Sequence, residues 1–187
     1  MADLKTTARQ EGRGYVLNGH KAVVLGAPWA DQLIVTARTG GGQRERHGIS
    51  VFVVPKNAPG VSTRDYPTVD GFRASEVYFE NVALGEEHLL GAADEGIGLI
   101  ELGVDHAITA TCAEAIGCFR VMHELTLEYA RTRKQFGAPS GSFQVLQHRM
   151  VDMFMALEQA VSMTYMATLK LDSLDRAKAV SAAKVQI

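Results

Sequence analysis

The chain has 187 residues, 47% of them hydrophobic and 21% charged, enough for one large domain or two small ones. Its net charge of -2 gives no electrostatic reason to expect nucleic acid or an anionic membrane as partner. No apolar run reaches the length of a membrane span, and no signal peptide is read ahead of the first strand. The two cysteines, Cys112 and Cys118, lie in one helical pattern at a spacing unsuited to a disulfide, and both read as buried small hydrophobes in a reducing, cytoplasmic compartment.

The first 88 residues read as strands. Gly14–Gly26 alternates apolar and polar residues around Asn18-Gly19, a pair suited to the positive φ angles of a two-residue hairpin turn. Leu33-Ile34-Val35 and Ile49–Val54 are short, β-branched runs. Between them Gly40-Gly41-Gly42 opens a polar stretch to His47. No Lys-Ser/Thr and no helix follow it, so it reads as a flexible hairpin tip and not as a phosphate loop. Val61–Arg64 and Glu76–Phe79 complete a set of short strands at near-regular spacing, which implies an antiparallel barrel or sandwich.

From Asp94 the hydrophobic period changes to 3.6. Ile97, Ile100, Val104, Ile108, Ala115, Phe119, Met122 and Tyr129 step through one helix ending near Arg133, about 37 residues and about 55 Å long. A second helical pattern starts at Phe143 and carries apolar residues on two faces, including Leu146, Leu157, Val151 and Phe154, so it should lie inside a bundle. Five of the seven methionines fall between 150 and 166 and read as core gap-fillers. A third helix begins near Leu174 and runs uncapped to Ile187, and the abrupt start at Asp3 matches it, so the sequence reads as a fragment. The expected architecture is α+β: an antiparallel β-barrel-like domain over 1–90 and part of an antiparallel helical domain over 91–187. No helix is expected between 15 and 54 and no strand beyond 100.

Several stretches carry a family resemblance that spans nearly the whole chain. Thr6-Thr7-Ala8, Gly14–Lys21, Ala30-Asp31 and Val35–Arg38 resemble the middle β-domain of acyl-CoA dehydrogenases, and Phe79–Val82 with Leu89–Gly91 resembles its exit into the helical domain. Most specific is Tyr129–Gly137, followed by Phe143-Gln144 and His148–Met153. The resemblance implies an FAD enzyme that oxidises an acyl-CoA thioester across its α,β bond. A carboxylate takes the α-proton, and the electrons pass on to an electron-transfer flavoprotein. It also implies a homo- or hetero-oligomer, in which Arg133, Gln135 and Phe136 reach a neighbour's FAD and Gln144 lies near that flavin's adenine end. Without the resemblance, the same residues read as a basic helix end followed by a turn with Phe136 packing.

Other positions depart from the family pattern. Leu25 stands where the family places a Thr or Ser that hydrogen-bonds the flavin ring, and Trp29 reads as a rim aromatic at a turn. In most members the catalytic Glu lies near the C-terminus, past the position of Ile187. In a minority it lies early in the first long helix, where this chain has Ala107 and Ile108. A register slip would bring Asp105 into that role, one methylene short of Glu; otherwise Asp105 sits on a solvated helix face. These departures also fit a non-catalytic subunit that completes a partner's flavin site, and the Asp105-His106 helix is similar to small subunits of bacterial pimeloyl-CoA dehydrogenase-type pairs.

Overall fold

The computed structural model describes residues Met1–Ile187 as two units, Met1–Glu101 and Leu102–Ile187. The first holds seven strands: β1 Thr7–Glu11, β2 Gly14–Leu25, β3 Gln32–Arg38, β4 Ile49–Pro55, β5 Val61–Pro67, β6 Arg73–Leu84 and β7 Leu89–Leu90. They form one sheet in the order β5-β6-β2-β1-β3-β4-β7. Every pairing is antiparallel except the single Thr7–Arg38 step between β1 and β3. The antiparallel β-domain is as expected, but the sheet is open, with β5 and β7 as edges, so barrel-like describes it only loosely.

Period-2 alternation builds the core. In β3, Leu33, Val35 and Ala37 are buried while Ile34 is exposed, and β4, between β3 and the short edge strand β7, is covered on both faces at Val51, Phe52 and Val54. Tyr15 meets Phe52 edge to face, with ring centroids 5.1 Å apart.

The Asn18-Gly19 hairpin turn does not form. The β1–β2 turn lies at Gly12-Arg13, with Gly12 at φ +61°, and β2 runs straight through Asn18-Gly19. There the β2–β6 register skips from Leu17–Val82 to Gly19–Phe79, leaving an extra residue on β6 and Asn81 at φ +50°. Asn18 and Asn81 clamp this bulge: Asn18 Nδ2 donates to Asn81 Oδ1 (3.2 Å), and the Asn81 backbone N–H donates to Asn18 Oδ1 (2.8 Å). Gly19 is required for another reason, since a Cβ there would lie 2.7 Å from Thr6 Cα. Close backbone approach, not turn geometry, sets the glycine.

The Gly40–His47 stretch connects β3 to β4 and wraps around Arg38. That buried guanidinium donates to the carbonyls of Ala2, Gln43, Glu45 and His47 at 2.7–2.9 Å. Three backbone carbonyls of the loop are thus satisfied by one side chain, which fixes the loop around Arg38.

The helices are α1 Gly96–Thr132, α2 Gln144–Leu169 and α3 Arg176–Gln186. In the second unit Cys112 packs with Ala167, Ile116 with Leu157 and Ala160, and Leu127 lies across a groove from Met150, so α1 and α2 run antiparallel. Val180 and Ala183 of α3 close onto Cys112 and Ala167.

Three sequence expectations are corrected here. A short strand pair, β8 Lys134–Gln135 with β9 Ala138–Pro139, occurs beyond residue 100, because two consecutive positive-φ residues turn the chain back on itself. Cys112 is buried but Cys118 is exposed, since six helical steps rotate it about 120° away from the face that carries Cys112. Within this chain α2 buries one face only, through Leu157, Ala160, Thr164 and Ala167. Val151, Phe154 and Tyr165 stay exposed, and so do Met153 and Met155, which therefore fill no gap in the core of this chain.

Candidate functional site

The residues singled out by the sequence cluster in one short segment. Arg133 follows the last turn of α1, its N–H bonded to Tyr129 O (2.8 Å) and its carbonyl accepting from Ser140 N–H (2.7 Å). These bonds hold the mouth of the β8–β9 hairpin shut. At its tip Phe136 and Gly137 have φ +51° and +77°, the pattern of a type I′ turn. Gly takes that conformation freely; Phe does so at a steric cost of about 1–2 kcal/mol.

Phe136 is also 95% exposed, touching only the edge of Phe143 at a centroid distance of 6.3 Å. Phe143 is the N-cap of α2 and offers no side-chain cap; its carbonyl takes the Leu146 and Gln147 amides, and those of Gln144 and Val145 are left open to an outside acceptor. Gln135 is exposed, its amide bonded only to the neighbouring Lys134 carbonyl. Arg133 takes part in no ion pair. An exposed guanidinium, two amides, an uncapped helix start and a bare phenyl ring thus stand together. That donor set fits a phosphate-bearing ligand with a flat ring, as FAD is.

Asp105 is elsewhere, about 42 Å further back along α1 at 1.5 Å per residue. Its Oδ2 accepts from Arg176 Nε at 2.8 Å, so it is neither a free base nor a solvated surface carboxylate. Ala107 and Ile108 supply no acid, and His106 only returns a contact to Leu102 O on its own helix.

At the end of β2, Val23 and Leu25 are exposed, Leu25 at 68%, without a hydroxyl to offer a ring. Trp29 sits in the following turn, its N–H bonded to Gly26 O, at the edge of an open cleft of about 600 Å³ shared with Asp31 and Asn57.

Two polar features at β2 have no signal in the sequence, because strand pairing creates them. Glu76 accepts from Tyr66 Oη (3.0 Å), pairs with His20 Nε2 and receives the Val23 N–H at 3.4 Å. The Tyr66 hydroxyl, then His20, hold the Glu76 carboxyl below the usual carboxylate range, while desolvation and the facing Glu76 push Tyr66 up. Lys21 donates to Thr36 Oγ1 (3.0 Å), and burial without a carboxylate partner lowers its ammonium to about 8. No group of three or more His, Cys, Asp or Glu side chains is arranged to hold a metal ion, and no helix is long and apolar enough to cross a membrane.

Residues 1–82 match the family model for the acyl-CoA dehydrogenase middle domain and residues 94–187 the model for its C-terminal domain. The chain is 33% identical to a mitochondrial 2-methylacyl-CoA dehydrogenase of Solanum tuberosum over 88% of its own length and 40% of that protein's. It is 33% identical to a 3-(aryl)acrylate reductase of Clostridium sporogenes over 96% of its length and 48% of that protein's. Among solved structures, an FAD-dependent dehydrogenase superposes with a TM-score of 0.88 at 33% identity, covering 99% of this chain and 51% of that one. The chain therefore spans about half the length of these relatives. Matching both domain models in the family's order, with the fold those models describe, this chain belongs to the acyl-CoA dehydrogenase family.

Proposed function

We propose that this chain is the middle and C-terminal part of an FAD-dependent dehydrogenase that oxidises the α,β bond of an acyl-CoA thioester and passes the electrons to an electron-transfer flavoprotein. The observation that carries this reading is the exposed hairpin after α1, where an unpaired Arg133 and a solvent-facing Phe136 are held on a strained turn. Such a turn persists where the surrounding structure over-determines it and something outside the chain uses it.

FAD, when bound, supplies the hydride acceptor. Arg133 donates its forked N–H groups to pyrophosphate oxygens, a charge-assisted contact of about 1.5–3 kcal/mol. Gln135 and Gln144 offer amides beside the open start of α2, and Phe136 covers an apolar edge. These groups are exposed on their own chain, and the family resemblance implies that the FAD they serve belongs to a neighbouring subunit. The exposed Val151, Phe154, Met155 and Tyr165 of α2 supply the apolar face against which a second copy or an unlike chain packs. The family resemblance puts the proton-abstracting Glu past the position of Ile187, and Asp105, engaged by Arg176, does not replace it.

Leu25 favours a second reading, a subunit that completes its partner's flavin site and holds its own FAD poorly. Losing one hydroxyl contact costs about 1 kcal/mol, which weakens binding without abolishing it. Flavin content of the purified protein, alone and with a partner chain, separates the two. One FAD per chain in the lone protein supports the self-sufficient dehydrogenase; a deficit restored by a partner supports the second reading. If Arg133→Ala leaves FAD binding unchanged in both settings, the hairpin has no flavin role.

A further inference from the structure

The second irregularity of β2 lies next to Leu25. Lys21 pairs with Val77 and Val24 with Ser75, so Ala22 and Val23 together oppose the single residue Glu76. This is a β-bulge with the extra residue on β2. It places Val23 at φ +53°, a conformation that a β-branched residue adopts only when its surroundings impose it.

The surroundings that impose it converge on one carboxylate. Glu76 Oε1 faces the Val23 N–H at 3.4 Å and also accepts from Tyr66 Oη of β5 at 3.0 Å. Oε2 pairs with His20 Nε2 of β2, and the His20 ring stacks on Tyr78 of β6 with centroids 4.6 Å apart and planes 18° from parallel. The carboxylate is thus tied to β5 and β2 from its own place on β6, with its side chain only 14% exposed. The Val23 amide, which the bulge removes from the strand ladder, finds its acceptor there.

We propose that Glu76 is a positioning residue: its carboxylate, fixed by Tyr66 and His20, locks the Ala22–Val23 bulge and thereby sets where Val23 and Leu25 stand toward the flavin ring. The flavin end of this statement rests on the functional reading above; the bulge end rests on the contacts of Glu76 alone. Glu76 acts through the backbone of β2 and touches no reacting atom. With Leu25 offering no hydrogen bond, the ring contact on this side depends on shape, and shape depends on the bulge.

The test uses Glu76→Ala and Glu76→Gln in the purified protein, with two readouts. Hydrogen exchange of segment 22–25 without flavin reports the bulge, and titration with FAD, followed by flavin fluorescence, reports the ring contact. Glu76→Ala should speed Val23 amide exchange by about 10-fold or more and weaken FAD binding by about 5–10-fold, while Glu76→Gln, which keeps an acceptor, recovers most of both. Val23→Gly, which takes positive φ freely, should restore much of the affinity lost in Glu76→Ala. If Glu76→Ala does not fold, Glu76→Gln and His20→Ala carry the same comparison with smaller changes in the same direction. Exchange and affinity both within about twofold of wild type overturn the proposal. So does faster exchange with unchanged FAD affinity, because the bulge then does not set the flavin face. Wild-type protein that binds no FAD, alone or with a partner chain, overturns the functional reading and the flavin end with it, and is told apart by the exchange measurement, which needs no flavin.

Discussion

Arg176 Nε donates to Asp105 Oδ2 across 2.8 Å, and with 29% and 14% of their side chains exposed the two form a mostly buried tie between α3 and α1. Asp105→Ala leaves Arg176 half-buried and unpaired, which should cost about 1–3 kcal/mol in a urea denaturation series. Flavin reduction by an acyl-CoA should survive in the same variant at temperatures where it remains folded. A loss of about a thousandfold in that rate would instead make Asp105 the base.

Lys21 predicts a pH dependence of stability. Its ammonium is lowered to about 8 by burial, against 10.5 unperturbed. Between these values the unfolded chain keeps the proton that the folded chain has released, so stability rises with pH across the window from 8 to 10.5. Below pH 8 the folded state carries the full cost of the buried charge. Lys21→Met should therefore stabilise the protein at pH 7 by about 1–2 kcal/mol, a figure reduced for the part of the side chain that water still reaches. The advantage should vanish near pH 10.5, as denaturation midpoints at pH 7 and pH 10.5 will show.

Two glycines should answer oppositely to alanine. At Gly19 an added Cβ meets Thr6 Cα at 2.7 Å and Thr6 Oγ1 at 2.9 Å, with φ at +143°, so Gly19→Ala should cost about 2–3 kcal/mol. At Gly117, within α1, nothing lies within 4 Å of that position, and Gly117→Ala should gain about 0.5–1 kcal/mol from helix propensity. Thermal unfolding of the two variants gives the comparison directly.

Phe136 should trade stability against ligand. Asn tolerates φ +51° better than Phe, and within the chain the ring meets only the edge of Phe143, so Phe136→Asn should stabilise the hairpin by about 0.5–1 kcal/mol. The same change should weaken binding of a neighbour's FAD several-fold. A melting curve and a flavin titration on one preparation check both halves, and a variant that loses stability would show that the ring supports its own chain.

Periodicity alone determined which long stretches of this protein are strand and which are helix. The switch from period 2 to period 3.6 near Asp94 and the spacing of the apolar residues place the strands and the three helices, because burying one face requires that repeat whatever the partner. The segment from Arg133 to Gln144 is local in the same way: its members are close in the chain, so a short hairpin suffices to bring them together. Tertiary structure decided what depends on strand pairing and helix docking. Asn18-Gly19 has the composition of a turn, yet pairing with β6 and the approach of Thr6 made it a continuous part of β2, opposite a bulge on β6. Asp105 lies 71 residues from Arg176, and Glu76 lies 56 from His20. No local pattern reports such pairs, since the energy that joins them appears only after the loops between them have closed.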